Sequence, residues 1–228
     1  NFNRKFEFIK FHQVGGTSVA ETMYKFIDRH ELRGCCIGTK SERAACQICA
    51  DHNSLACLVD EGRHCLALPG AFSPKPATAT LLREPLDKAL AKYYFIASRN
   101  DIYSEARGYR QTVEDWASKH IDNEYLDVLG GMSKKRDLAV AKRTLEGFDV
   151  VGLTEEFDQF MAGVATLMGW PLVEVTYKRL KTILGRPKVE DHSDEVLTAL
   201  RTNLAPDLEI YAYGKALSLP KMRALPGF

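Results

Sequence analysis

The chain has 228 residues, 45% of them apolar and 27% charged, with a formal net charge of +1. That is enough for a sizeable core, and near-neutrality excludes a bulk attraction to nucleic acid or to an anionic membrane, so any anion site must be built locally. No apolar run reaches the roughly 18–20 residues of a membrane span, and no signal peptide is visible. No Pro/Gly/Ser-rich linker or internal repeat divides the chain, so residues 1–228 read as one domain. Asn1 stands just before a strand-like run, which is compatible with removal of an N-terminal piece that carried an anchor.

Residues 6–11, FEFIKF, read as a buried strand, short and apolar with one lysine. The glycine pair Gly15-Gly16 follows, and from Gly16 onward Val19, Met23, Phe26 and Ile27 recur at helical spacing, with Thr17 or Ser18 expected to cap the start. Strand, tight glycine turn and helix together aim backbone N–H groups and a positive helix end at an anion. The turn is neither a Walker A loop, lacking GxxxxGKS/T, nor a dinucleotide fingerprint, lacking GxGxxG. Glycines also serve plain strand-to-helix junctions, so the turn alone leaves both readings open.

Six cysteines crowd between Cys35 and Cys65, a cysteine-rich insertion spanning about residues 30–65. An even, clustered set fits disulfides of a secretory compartment, while Cys46-x-x-Cys49-x-x-His52 is also compatible with zinc, and free buried thiols stay open. His64 to Leu68 is a short strand candidate, and residues 75–82, KPATATLL, are a stronger one. Arg83 stands where that strand ends, followed by an acid, a proline and a helical stripe of Leu86, Leu90, Tyr93 and Tyr94. An arginine there reaches a phosphate bidentately or forms a surface ion pair with Glu84. Residues 111–146 read as helices with polar faces, 148–153 (FDVVGL) as a buried strand, and the segment from Thr154 as a helix. Alternating strands and helices predict a parallel sheet covered on both faces.

Four segments in order resemble the sulfotransferases that use 3′-phosphoadenosine-5′-phosphosulfate (PAPS), in particular their Golgi carbohydrate branch. The loop HQVGGTS, residues 12–18, is similar to the family's PKTGGTS or HKVGGTS. REPLDKALAKYYF, residues 83–95, is similar to RDPxxRxxSxYYF. VGLTEEFDQFMAGVATLMGW, residues 151–170, resembles the VGxTExF segment of heparan and uronyl 2-O-sulfotransferases, and NLAPDLEIYAYG, residues 203–214, resembles the closing helix.

The resemblance implies a P-loop nucleotide-kinase-like three-layer α/β/α fold around a central parallel sheet, with PAPS lying across the strand ends. It implies that Gln13, Val14, Gly15, Gly16, Thr17 and Ser18 wrap the 5′-phosphosulfate and that Arg83 binds the 3′-phosphate. A late basic loop including Arg186 and Lys188 then closes over the nucleotide. Sulfuryl transfer is mainly in-line positioning and charge stabilisation, so no metal is expected, and a base must take the acceptor's proton. The resemblance gives that role to His64, from a GHxxY pattern, with Glu61 and His52 in reserve. The implied product is adenosine 3′,5′-bisphosphate, the acceptor a glycan hydroxyl, and the location the Golgi lumen or secretory pathway, with a cytoplasmic enzyme as the alternative; no nucleic-acid partner is expected. Tyr103, Arg107, Tyr109 and Arg110 read either as a glycan groove or as helix surface.

Two positions depart from the family pattern. Gln13 replaces a lysine and Ala91 replaces a serine. A charged hydrogen bond is roughly twice as strong as a neutral one, so the loss at position 13 needs a substitute. Lys10 supplies it only if its side chain runs along the sheet to the loop, and His12, protonated, is a second source. The competing expectation is a catalytically impaired relative that binds nucleotide or glycan without turnover.

Overall fold

The computed structural model describes residues 6–31, 34–37, 56–60, 76–98, 111–119, 121–131, 136–180 and 183–228, and only the backbone of 34–37 and 56–60. The side chains of the six cysteines and of His52, Glu61 and His64 fall outside the described residues, as do the strand expected at 64–68 and Tyr103 to Arg110.

Five strands, β1 (Phe6–Lys10), β2 (Gly34–Ile37), β3 (Ala56–Asp60), β4 (Ala77–Leu82) and β5 (Val150–Leu153), form one parallel sheet in the order β2-β3-β1-β4-β5. Near-continuous apolar runs such as FEFI and ATATLL suit strands covered on both faces, and all six residues of β4 are buried. The threonines of β4 satisfy their hydroxyls inside the core: Thr80 Oγ1 donates to the Ile9 carbonyl at 3.0 Å, and Thr78 Oγ1 to Asp149 at 3.1 Å.

Helix α1 (Gly16–Arg29) follows β1, and α2 (Pro85–Ala97) follows β4. Three short helices, α3 (Val113–Ala117), α4 (Glu124–Leu129) and α5 (Leu138–Gly147), precede β5. After β5 a single 3₁₀ turn, Thr154–Glu156, delays the helix expected from Thr154, so that α6 spans Phe157–Met168. Helices α7 (Asp194–Asn203) and α8 (Ala205–Arg223) close the chain.

The strand period of two sorts β1 between the layers. Phe6 and Phe8 face α1 and α6, where Phe6 meets Trp170, itself stacked on Phe26, and Phe8 meets Phe160. Phe11, on the other side, packs edge-on against Tyr125 of α4 at 4.7 Å. A smaller core beside the sheet joins α2, α3 and α7 through Leu86, Leu90, Tyr93, Trp116, Leu197 and Leu200. The expected stripe of α2 is therefore real, and it holds that helix upright next to the strand ends.

The chain leaves β1 toward β2 and β3 on one side and returns to β4 on the other. Strand order thus reverses between β1 and β4, and in open parallel sheets the crevice at the carboxyl ends of two such strands is the usual ligand site. The glycine loop and Arg83 leave the sheet at these two strand ends.

Candidate active site

Residues 11–15 turn the chain sharply from β1 into α1. Gln13 adopts a left-handed backbone, φ 58°, uncommon for a residue with a Cβ, and Gly15 does so at φ 87°. Gly15, not Thr17 or Ser18, is the N-cap of α1, and no side chain caps the helix; its first turn also carries no acid. Ser18 cannot cap because it lies within the first turn, buried, where its Oγ accepts the Leu180 N–H at 3.2 Å. Among the described residues, the amino end of this 14-residue helix is thus left without a side-chain cap or a first-turn acid to meet its N–H groups and positive dipole end.

Gly16 lets the Lys10 side chain lie against it. A Cβ there would sit 2.4 Å from Lys10 Cγ, 2.9 Å from Cδ and 3.1 Å from Cε. The Lys10 stem therefore leaves the end of β1 and lies against the first residue of α1.

Glu84 caps α2 by accepting the Asp87 N–H at 2.7 Å, with Pro85 in the first turn where its missing N–H costs nothing. That geometry fixes Arg83 just outside the helix. The buried Tyr125 hydroxyl clamps it, accepting from Arg83 N and donating to Arg83 O, both at 2.8 Å. Arg83 Nη1 donates to the Gln13 carbonyl at 2.7 Å, so the arginine also braces the glycine loop. Its ion-pair partner is Asp87, not Glu84: Nε and Nη2 lie 2.7 and 2.6 Å from Oδ2. Arg186 Nη2 reaches the other oxygen at 2.5 Å. Burial acts to raise the Asp87 carboxyl, but Arg186 and Arg83 together hold it below its ordinary value. Two guanidinium groups thus share one carboxylate, and Arg186 Nη1 is buried with no hydrogen-bond partner among the described residues.

The opposite face of α2, through Pro85, Lys88, Ala89 and Lys92, lines a cavity of about 260 Å³ that His12 and Gln13 border from the loop. His12 Nδ1 lies 2.6 Å from Glu124 Oε1, which also accepts the His12 N–H at 3.0 Å. Lys88 Nζ is 2.5 Å from Glu124 Oε2 and 4.8 Å from the centre of the Tyr125 ring. Burial alone would push the Glu124 carboxyl up; Lys88 and His12 outweigh it and hold the group down at about 2. Asp207, at the cavity floor, accepts the Tyr125 and Leu126 N–H groups at 3.0 and 2.9 Å, and burial pushes its carboxyl up to about 6.

Of the residues singled out by sequence, the fold brings together Lys10, Gln13, Val14, Gly15, Gly16, Thr17, Ser18, Arg83 and Arg186. Val14 contributes backbone only: it is buried, and the Thr154 hydroxyl at the end of β5 lies 2.8 Å from its carbonyl and 3.1 Å from that of Leu82. Lys188 is not part of this group, since its ammonium is exposed and lies 3.8 Å from Glu190. Ala91 is buried and offers no hydroxyl. Sequence reasoning missed Asp87, Lys88 and Glu124, whose contacts span up to 112 residues; the only advance signal was Lys88 at a position where the family pattern has an arginine.

No family model matches the chain. Comparison with curated proteins finds galactose-3-O-sulfotransferase 3 of mouse (Mus musculus) and of human (Homo sapiens), each 25% identical across 92% of this chain. The chain is similar to carbohydrate sulfotransferases. The relatives are galactose 3-O enzymes by name, rather than the heparan or uronyl 2-O type. The chain spans about half the length of the curated relatives it matches, 55% of each.

Proposed function

We propose that this chain carries the catalytic domain of a carbohydrate O-sulfotransferase that moves the sulfuryl group of PAPS to a glycan hydroxyl and releases adenosine 3′,5′-bisphosphate. One observation carries the reading most: a helix end uncapped and two arginines, one with a buried Nη1 unsatisfied, among the described residues, converge where the strand order of a parallel sheet reverses. A bound anion would complete both. The residues fit a bisphosphate nucleotide in two parts. Main-chain N–H groups of the first turn of α1 suit the 5′-phosphosulfate, and Arg83 with Arg186 suits the 3′-phosphate, which would compete with Asp87 for their donors.

PAPS supplies an activated sulfuryl group with a good leaving phosphate. The protein's part is to hold both ends and to stabilise charge on the bridging oxygen as it leaves. Lys10, lying on Gly16, takes the role for which Gln13 lacks charge. We take the acceptor to be a galactose of a glycan, a reading the relatives' names support, with the Golgi lumen as the location that goes with it.

A second reading is nucleotide or glycan binding without turnover. It is favoured by Gln13 and by the apolar, buried Ala91 where the family pattern has a hydroxyl. Incubation with radiolabelled PAPS and a panel of galactose-terminated oligosaccharides separates the two. Labelled glycan supports the enzyme; bisphosphate binding with no labelled glycan supports the second reading.

A further inference from the structure

The two faces of α2 do different work. Positions 87, 91 and 94 point one way and 85, 88, 89 and 92 the other, as 100° per residue dictates. If the arginine side takes the nucleotide, as proposed above, the cavity on the far side of the helix meets the same loop from the other direction. In-line transfer needs that arrangement, with leaving group and acceptor on opposite sides of the transferring group.

His12 stands at this junction. It belongs to the loop, borders the cavity, and its side chain is 42% exposed while that of its partner Glu124 is 14% exposed. Glu124 accepts at Nδ1 and fixes the ring, leaving Nε2 as the nitrogen not turned toward it. An imidazole oriented through one nitrogen by a buried carboxylate is the arrangement in which the other nitrogen serves as a proton acceptor and the resulting imidazolium is stabilised. Lys88 keeps Glu124 ionised, so the carboxylate supports the imidazolium without itself taking the proton. Among the described residues, the other charged groups bordering the cavity are Lys92, Asp122 and Asp207.

We infer that the cavity between the loop, α2 and α4 receives the acceptor hydroxyl and that His12, held by Glu124, is the base that takes its proton. The acceptor oxygen forms the new O–S bond as the S–O bond to the 5′-phosphate breaks. The hydroxyl proton passes to His12 Nε2, and the electron pair of the broken bond leaves with adenosine 3′,5′-bisphosphate. His12 is then a catalytic residue, and Glu124 a positioning residue. Lys92 and Asp122 offer a donor and an acceptor for sugar hydroxyls beside it. This assigns to His12 the role that the sequence pattern gave to His64.

The test compares His12→Asn, His64→Asn and the unaltered chain, using labelled PAPS, a galactose-terminated oligosaccharide and calorimetry with adenosine 3′,5′-bisphosphate. His12→Asn should lower kcat on the order of 100- to 10,000-fold, the usual contribution of general-base catalysis, with bisphosphate affinity within a few-fold of normal. Glu124→Gln should lower kcat less and move the acid limb of the pH–rate profile to lower pH, since the imidazolium loses its counter-ion. Because burial pushes the Asp207 carboxyl up to about 6, that limb is compared with the His12→Asn profile, in which it should vanish. Turnover of His12→Asn within a few-fold of normal, or loss in His64→Asn alone, overturns the inference while leaving the proposed reaction intact. No bisphosphate binding, or no transfer to any acceptor by the unaltered chain, overturns both.

Discussion

On each side of α2 a carboxylate lies between two basic side chains, and the two sites differ in what those side chains can do. On one side Asp87 joins Arg83 and Arg186, guanidinium groups that keep their protons at every physiological pH. On the other Glu124 joins Lys88 and His12, and an imidazole, unlike a guanidinium, is a group that can give up and take back a proton. The first arrangement is a fixed positive charge suited to holding a phosphate. The second, on the inference above, handles the proton of a hydroxyl. A third carboxylate shows what happens without a cation: Glu7 is buried in β1, its Oε1 has no hydrogen-bond partner among the described residues, and burial pushes its carboxyl up to about 7. Neighbours, not burial alone, therefore decide which acids in this core are ionised.

The comparison breaks most visibly at His12. Its replacement by Asn should cost the most turnover and the least nucleotide affinity, the reverse of any change on the arginine side. Lys10 comes next. Lys10→Met should lower kcat on the order of 100-fold, the cost of one preorganised donor to developing charge, and Gln13→Lys in the same chain should restore part of it. Equal rates in Lys10→Met and the unaltered chain would remove Lys10 from the site. Arg83→Ala should weaken adenosine 3′,5′-bisphosphate binding by about 10- to 100-fold, as loss of a charged hydrogen-bonding group does, while barely changing that of AMP. Equal losses for both nucleotides would assign Arg83 to the loop, whose Gln13 carbonyl it holds, and not to the 3′-phosphate.

Glu7→Gln is the smallest and tests the electrostatic logic away from the site. Between the ordinary glutamate pKa of about 4.5 and its folded value of about 7, the folded protein binds more protons at Glu7 than the unfolded chain does. Stability from this group is therefore full below about 4.5 and is lost as pH rises through 7. Removing the charge should raise the melting temperature at pH 8, by the equivalent of about 1–3 kcal/mol, and change it little at pH 4. A gain of the same size at both values would point to packing in place of ionisation.

Much of the frame was legible because it rests on short-range pattern. The apolar run of β1, the glycine turn and the Val19-Met23-Phe26 stripe specify strand, turn and helix locally, and Arg83-Glu84-Pro85 is a helix start with a cap and a proline in its expected places. The cap of α1 was misread because a Thr-Ser pair beside a helix start usually supplies a hydroxyl. Here the left-handed Gly15 sets the boundary two to three residues earlier and leaves the helix end without a side-chain cap among the described residues. The cavity side was illegible for a different reason. Glu124 lies in a stretch of short, polar-faced helices and reaches His12 only because Phe11 and Tyr125 pack together across 114 residues of chain. No periodicity encodes such a contact. Asp207 was visible only as part of a closing-helix pattern, although its carboxylate caps α4 and thereby sets where Glu124 stands.

Calorimetric titration with adenosine 3′,5′-bisphosphate, with AMP and ATP as controls, asks whether the loop and the arginine pair form a site for a 3′,5′-bisphosphate nucleotide. The bisphosphate should bind well above AMP and ATP, with the difference from AMP lost in Arg83→Ala. Equal binding of all three nucleotides, a preference for ATP, or no binding would contradict such a site.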